Sequence, residues 1–170
     1  MAAGHSLGAV TLLRAELRRP GTFRALWVFE PVMVPPEMGA DRAPSMLIEA
    51  SRRRRVEFDS VDDAVGRFCS KPPYSQCQPE AVRAYVETGT YPLPDGRVRL
   101  SCSGEIEARI YESNERRPLD ELAVLSCPVV VAAGAEIAMG NDIPPLVAPL
   151  IARALGNGRL QLFDGLTHFG

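Results

Sequence analysis

The five residues Gly4-His5-Ser6-Leu7-Gly8 determine how the rest of this sequence is interpreted. They match G-x-S-x-G, in which a glycine two positions away on each side lets neighbouring backbone approach without a Cβ clash. Apolar side chains then recur at helical spacing over residues 7–18, and a stop signal follows at Arg18-Arg19-Pro20-Gly21. A serine on a tight turn into a helix is accessible, and the next N–H can face a developing oxyanion. The pattern therefore predicts a nucleophile at Ser6; the alternative is a glycine-rich turn whose serine caps a helix.

Three apolar runs, one before a long polar region and two after it, predict buried β-strands. They lie at residues 25–34 (ALWVFEPVMV), 127–133 (CPVVVAA) and 159–163 (RLQLF). Continuous apolar runs are typical of strands buried on both faces of a parallel sheet. A helical pattern at about 144–155 separates the last two runs. Strands that alternate with helices predict an α/β architecture with parallel pairing.

Residues 37–125 differ in composition from both flanks. They carry most of the charge and contain four helical patterns and one short strand candidate, near 42–54, 60–69, 79–88, 104–114 and 97–102. Polar and proline-rich joints separate these patterns. We therefore divide the chain into residues 1–36 with the serine motif, an insertion at 37–125, and a C-terminal part at 126–170.

The overall composition is that of an ordinary globular chain. The 170 residues are 46% hydrophobic and 24% charged, with a net charge of −2. This balance excludes a globally basic nucleic-acid binder, and no apolar run reaches the length of a membrane span. The first residues show no secretory signal, so we expect a cytoplasmic protein. Acidic residues flank the basic run Arg52–Arg55, which we interpret as a solvated helix end and not as a nucleic-acid site.

The cysteines and histidines do not form a recognisable metal site. Four cysteines stand at positions 69, 77, 102 and 127 without a C-x-x-C pair, and neither histidine lies near a cysteine at zinc-ligand spacing. We expect reduced and mostly buried thiols, no metal and no cofactor.

A serine nucleophile needs a base, and the chain contains only His5 and His168. His5 is adjacent to Ser6 in a position whose side chain should point away from it, so we interpret His5 as structural. His168 follows the third predicted strand through a short loop, which would bring its imidazole to the carboxyl edge of the sheet. The order of serine, acid and histidine favours His168 as the base. The alternative is that His168 is a surface residue without a catalytic role.

Three carboxylates stand where they could orient the imidazole of His168. Glu136 comes just after the second predicted strand, in Gly134-Ala135-Glu136. Glu30 ends the first predicted strand at another edge position of the same sheet, and Asp142 lies a few residues beyond Glu136. On topology we prefer Glu136, with Glu30 as the alternative acid and Asp142 behind both. Each of them could instead be a solvated loop carboxylate.

Four segments, GHSLGA, RALWVFEP, CPVVVAAG and LTHFG, together resemble the C-terminal part of an α/β-hydrolase. The resemblance covers essentially the whole chain, with residues 37–125 in the place of the cap domain. It implies a partial, mostly parallel sheet flanked by helices, with a mainly helical cap. It also implies a hydrolase that cleaves an ester or similar small-molecule acyl substrate with Ser6, Glu136 and His168, and with the Leu7 N–H as an oxyanion donor. Many members place the acid three residues after the glycine, where this chain has Ile137.

The same resemblance implies that the early strands of the fold, and the loop with a second oxyanion N–H, would precede Met1. Only Met1–Ala3 stand before the serine motif, which we expect to be too little for a paired strand. We therefore interpret the sequence as a truncated hydrolase whose exposed sheet edge favours aggregation or a homo-oligomer and whose own activity is weak. The alternative is an inactive fold remnant or a partner-binding fragment.

Overall fold

The structure is a computed structural model that describes residues 1–38, 45–113, 117–136 and 143–169. The helices are α1 (Ser6–Arg18), α2 (Ser45–Arg53), α3 (Val61–Cys69), α4 (Pro79–Gly89), α5 (Gly104–Glu112) and α6 (Ile143–Ala154). The strands are β1 (Ala2–His5), β2 (Leu26–Phe29), β3 (Glu57–Phe58), β4 (Thr90–Pro92), β5 (Val98–Leu100), β6 (Val129–Gly134) and β7 (Gly158–Phe163). Short 3-10 turns occur at Pro36–Met38, Tyr74–Gln76 and Leu119–Val124.

Two compact units make up the chain. The first contains Met1–Ala40 and Arg116–His168, and the second contains Asp41–Glu115. The predicted insertion at 37–125 has wider limits than the second unit. Its last part differs because Leu122, in the 3-10 turn, is buried in the core of the first unit.

A parallel sheet of four strands, in the order β1-β2-β6-β7, forms the centre of the first unit. In its register, Gly4 is opposite Val28, and Val28 is opposite Val131. Helices α1 and α6 pack against the sheet through Leu13 and Ile151, neither of which is exposed. The predicted class, an α/β chain with a mostly parallel sheet flanked by helices, is confirmed.

The strand that leads into Ser6 is longer than the sequence analysis predicted. We expected Met1–Ala3 to be too short to pair, yet Ala2–His5 pairs with Leu26–Phe29 over four residues. The reason is that α1 begins only at Ser6, and His5 before it is still extended, with φ −120° and ψ 141°. Gly4 and His5 therefore belong to the strand. Oligomerisation through an edge of this sheet stays a prediction.

A buried carboxylate closes the loop between α1 and β2. Glu16 is only 1% exposed, and its two oxygens accept the N–H groups of Gly21 at 2.7 Å and Phe23 at 2.9 Å. Gly21 has a φ of +83°, which a residue with a side chain rarely adopts. The bonds to Glu16 reverse the chain after α1 and direct it into β2, which ends next to Glu30.

The second unit combines helices α2–α5 with an antiparallel sheet in the order β3-β5-β4. Its core contains Phe58, Val82 and Val86, all nearly inaccessible to solvent. The basic run is paired within this unit, since Arg52 contacts Glu105 and Glu112, Arg54 contacts Glu107, and Arg55 contacts Asp63. These ion pairs agree with a helix end whose charge is balanced locally.

The four thiols are free but differ in exposure. Cys127 is buried, Cys69 and Cys77 are partly buried, and Cys102 is exposed. The expectation of mostly buried thiols is therefore wrong, because only one of the four is shielded from solvent. Within the described ranges, no group of three or more His, Cys, Asp or Glu side chains is arranged to hold a metal ion. A search of the same ranges finds no helix with the length and apolar character needed to cross a membrane.

Candidate active site

Ser6 occupies a sharp turn between β1 and α1. It is the first residue of the helix and has a φ of +53°, in the left-handed region where a residue with a side chain is strained by about 1–3 kcal/mol. The close packing of the turn requires glycine at position 4, since a Cβ there would lie 2.9 Å from Ala9 N. A Cβ at Gly8 would meet no atom of the described residues within 4 Å. The steric reason expected for both glycines therefore holds for Gly4 alone in this part of the chain.

The N–H of Leu7 stands at the start of α1. Leu7 is the second residue of the helix, and the first four N–H groups of a helix have no acceptor within it. The helix dipole adds a partial positive charge at the same place. An anion that forms beside Ser6 would find a donor there, which is the role predicted for Leu7.

His168 brings its imidazole to Ser6 from the loop after β7. Its Nε2 lies 3.2 Å from Ser6 Oγ, and the residue is only 5% exposed. The loop is attached to the sheet by its backbone, because the Glu136 N–H donates to the Leu166 carbonyl at 3.0 Å. These contacts place His168 at the carboxyl edge of the sheet, where the sequence predicted it.

Glu30 binds the other nitrogen of the imidazole. Glu30 Oε2 lies 2.6 Å from His168 Nδ1, and Glu30 Oε1 accepts the N–H of Gly134 at 2.9 Å. Glu30 is completely buried, directly follows β2 and has a φ of +41°. Its own N–H donates to the Ala132 carbonyl at 2.8 Å. Both carboxylate oxygens and the backbone are thus held by neighbouring groups.

Glu136, the acid preferred from the sequence, does not have this position. It is an exposed residue in the bend after β6, and its backbone N–H donates to the Leu166 carbonyl. His168 Nδ1 can donate one hydrogen bond, and the 2.6 Å contact directs it to the carboxylate of Glu30. The contacts therefore favour Glu30, the alternative acid, over Glu136. Asp142 and Ile137 lie outside the described residues.

Gly134 is a site residue that the sequence analysis did not assign. Its N–H holds Glu30, and a Cβ at this position would lie 2.2 Å from the carbonyl oxygen of Leu166. Only glycine lets the end of β6 approach the loop of His168 so closely. Its place at the end of a buried strand, next to the predicted acid position, was the available signal.

His5 is also closer to the site than expected. Its Nε2 lies 2.8 Å from the backbone carbonyl of His168, and the centroids of the two rings are 4.6 Å apart. His5 is an exposed residue, but partial desolvation of its ring lowers its pKa, and the charge of His168 lowers it further against the opposing effect of the bond to the His168 carbonyl. That this side chain points away from Ser6 stays a prediction, and its Nε2 contacts the histidine loop.

Comparison with solved structures shows the α/β-hydrolase fold. The chain is similar to the peroxisomal alpha-beta-hydrolase Lpx1 from Saccharomyces cerevisiae, with a TM-score of 0.74, 18% identity, and coverage of 98% of this chain and 47% of that one. It is also similar to E-2-(acetamidomethylene)succinate hydrolase, with a TM-score of 0.69, 16% identity and coverage of 98% and 59%. For the thioesterase domain from the curacin biosynthetic pathway, the TM-score is 0.65 and the identity 18%, with coverage of 98% and 59%.

The chain thus spans only about half the length of each of these structures. Neither the protein-family models nor the curated proteins give a match. At such low identities the likeness is one of fold.

Proposed function

We propose that this chain carries the catalytic residues of a serine hydrolase that cleaves an ester or a similar small-molecule acyl substrate. Ser6 is the nucleophile, His168 the base and Glu30 the acid that orients it. The observation that carries the proposal is the hydrogen-bond chain from Ser6 Oγ through the imidazole to Glu30 Oε2, with contacts of 3.2 Å and 2.6 Å.

The acceptor character of the carboxylate determines which tautomer His168 adopts. An ionised carboxylate can only accept, so the proton of the neutral imidazole is on Nδ1, where it points to Glu30. Nε2 then carries a lone pair and accepts the hydroxyl proton of Ser6. This is the protonation state that a general base needs beside its nucleophile.

In the first half of the reaction, Ser6 Oγ bonds to the acyl carbon while its proton moves to His168 Nε2. The carbonyl oxygen becomes an oxyanion, which the Leu7 N–H stabilises. The positive charge on the imidazolium forms against the buried Glu30 carboxylate, which offsets it. His168 then gives the proton to the leaving group as the C–O bond breaks, and the acyl group remains on Ser6.

In the second half, water attacks the acyl carbon. His168 takes a proton from the water, a second tetrahedral species forms, and its collapse returns the proton to Ser6 Oγ. The products are a carboxylic acid and the alcohol or other group that left in the first half. Each member of the site therefore ends the cycle in its starting protonation state.

The names of the similar structures support acyl chemistry in a general way. Two of them are described as a hydrolase and a thioesterase domain. A single N–H stabilises the oxyanion less than two would, because removal of one donor typically lowers the rate by ~10²–10³. We therefore expect measurable but modest activity when Leu7 supplies the donor alone.

A fluorophosphonate probe tests the proposal without knowledge of the natural substrate. We expect the probe to label the chain, with Ser6 as the modified residue in peptide mass spectrometry. Ser6→Ala should abolish the labelling, whereas Ser101→Ala should retain it, since Ser101 is an exposed serine of the second unit. Melting curves of both variants show whether the fold is retained.

Two results would contradict the proposal. Equal labelling of wild type and Ser6→Ala would remove Ser6 as the nucleophile. A folded wild-type chain that the probe does not label would favour the alternative, a fold remnant or partner-binding fragment without hydrolase activity.

A further inference from the structure

We propose that His5 is a positioning residue, which holds the backbone of His168 so that the imidazole meets Ser6 and Glu30 at once. This inference rests on the proposed function. It concerns the histidine next to the nucleophile, which the mechanism itself does not use.

The direction of the bond follows from its acceptor. A carbonyl oxygen only accepts, so the 2.8 Å contact requires a proton on His5 Nε2. In the neutral ring this is the Nε2–H tautomer, with a lone pair on Nδ1. His168 is the opposite tautomer in the mechanism above. The two rings, 4.6 Å apart, therefore have distinct and predictable states.

The place of His5 in the fold connects nucleophile and base directly. His5 is the last residue of β1 and immediately precedes Ser6, and β1 is paired with β2 up to the level of His5 and Phe29. A bond from this side chain to the His168 carbonyl thus ties the base to the same peptide segment that carries the nucleophile. A displacement of the histidine loop relative to Ser6 would have to break that bond.

The histidine loop has a second backbone attachment at its other side. The Leu166 carbonyl accepts the N–H of Glu136 at 3.0 Å. Together the bonds from Glu136 and His5 hold the carbonyls of residues 166 and 168, while Glu30 holds the imidazole of His168. The bond from His5 is made by a side chain, so it can be removed by substitution.

The charge state of His5 also suits this role. Partial desolvation and the charge of the nearby His168 lower its pKa, while the bond to the His168 carbonyl and the buried carboxylate of Glu30 act in the opposite direction without cancelling the shift. A neutral His5 adds no positive charge beside the imidazolium that forms on His168. It therefore holds the base without opposing the charge that the base must accept.

Two substitutions separate the hydrogen bond from the packing of the ring. His5→Phe keeps an aromatic ring beside Phe29, whose centroid is 5.9 Å from that of His5, but has no N–H. His5→Gln places an amide N–H at the distance of Nε2 from the backbone. We expect His5→Phe to lower kcat for p-nitrophenyl butyrate by about 10- to 100-fold with little change in KM, and His5→Gln to stay within a few-fold of wild type.

Proton and ¹⁵N spectra give a readout that needs no turnover. Because the chain has only two histidines, ring-labelled protein yields separable signals for each of them. Wild type should show His5 as the Nε2–H tautomer and a low-field proton on His168 Nδ1. That low-field proton should exchange faster in His5→Phe and be retained in His5→Gln.

The outcomes separate this inference from the proposed function. Absence of fluorophosphonate labelling at Ser6 in wild type would refute the hydrolase, whereas the two-histidine spectra still decide whether His5 holds the loop. A His5 ring protonated on Nδ1, or a low-field His168 signal that is the same in all three proteins, would overturn the positioning role. Equal kcat values for wild type and His5→Phe would do so as well.

Discussion

Replacement of Glu30 by glutamine should be far more damaging than its near-isosteric shape suggests. In the structure, Oε1 accepts the Gly134 N–H and Oε2 faces His168 Nδ1. A glutamine can satisfy Gly134 only with its carbonyl oxygen, so its NH₂ group must face the imidazole. His168 Nδ1 must then accept, the ring proton moves to Nε2, and the lone pair that would take the Ser6 proton is lost.

The size of the effect follows from this forced tautomer. The same change of acid to amide in a serine protease triad lowers kcat by ~10⁴. At about 1.4 kcal/mol per factor of ten, this corresponds to ~5.5 kcal/mol of lost transition-state stabilisation. We expect a comparable loss here, because Glu30 is 0% exposed and His168 5%, which leaves little room for water to replace the carboxylate.

The assay compares Glu30→Gln with Glu136→Gln. Both variants replace a glutamate near the histidine loop, but Glu136 is exposed and bonds this loop through its backbone N–H, which the substitution keeps. Fluorophosphonate labelling rates and kcat for a p-nitrophenyl ester should fall by several orders of magnitude in Glu30→Gln and by less than about three-fold in Glu136→Gln. A larger loss in Glu136→Gln than in Glu30→Gln would refute the reasoning and return the acid role to Glu136.

Further predictions concern substitutions at Gly134, Gly8, Glu16 and His5. Gly134→Ala forces a Cβ to 2.2 Å from the Leu166 carbonyl oxygen and should lower the unfolding free energy by about 1–3 kcal/mol and remove most of the activity. Gly8→Ala places a Cβ where no atom of the described residues lies within 4 Å, so it should be neutral or raise the unfolding free energy by up to about 1 kcal/mol. Glu16→Ala leaves two backbone N–H groups without their acceptor and should lower the unfolding free energy in urea by about 2–4 kcal/mol; an unchanged midpoint would contradict this. Desolvation lowers the pKa of His5 below 6.5, so as pH falls the unfolded chain binds a proton at this residue before the folded chain does. Wild type should therefore lose more stability than His5→Gln between pH 7 and pH 5, as measured by urea midpoints at each pH.

The hydrophobic patterns of the sequence predicted most helices and strands well, because the spacing of apolar residues and the residues that end an element are local features of the chain. The helix pattern at 144–155 corresponds to Ile143–Ala154, and the apolar run at 127–133 to Val129–Gly134. The strand before Ser6 was missed because Gly4 and His5 were assigned to the turn. Their extended backbone depends on pairing with β2, which no short pattern in residues 1–5 reveals.

The choice between acids could not be made from sequence for a similar reason. Glu30 and Glu136 both follow a strand and both reach the carboxyl edge of the sheet. What distinguishes them is the φ of +41° at Glu30 and the Gly134 N–H that receives its side chain, and both features depend on distant parts of the chain. Ser6 and His168 were easier to propose as site candidates, because a single motif indicated the serine and the chain offers only two histidines.

The order of the three side chains along the chain has a consequence for how the site assembles in time. Ser6 and Glu30 belong to one β1–α1–β2 crossover, a local unit within the first 30 residues. His168 meets Glu30 across a separation of 138 residues and Ser6 across 162. Contacts of such long range close large loops and are late events in folding. Ser6 and Glu30, the proposed nucleophile and acid, can therefore be placed early, and we expect recovery of fluorophosphonate labelling in a refolding chain to report the arrival of its last strand.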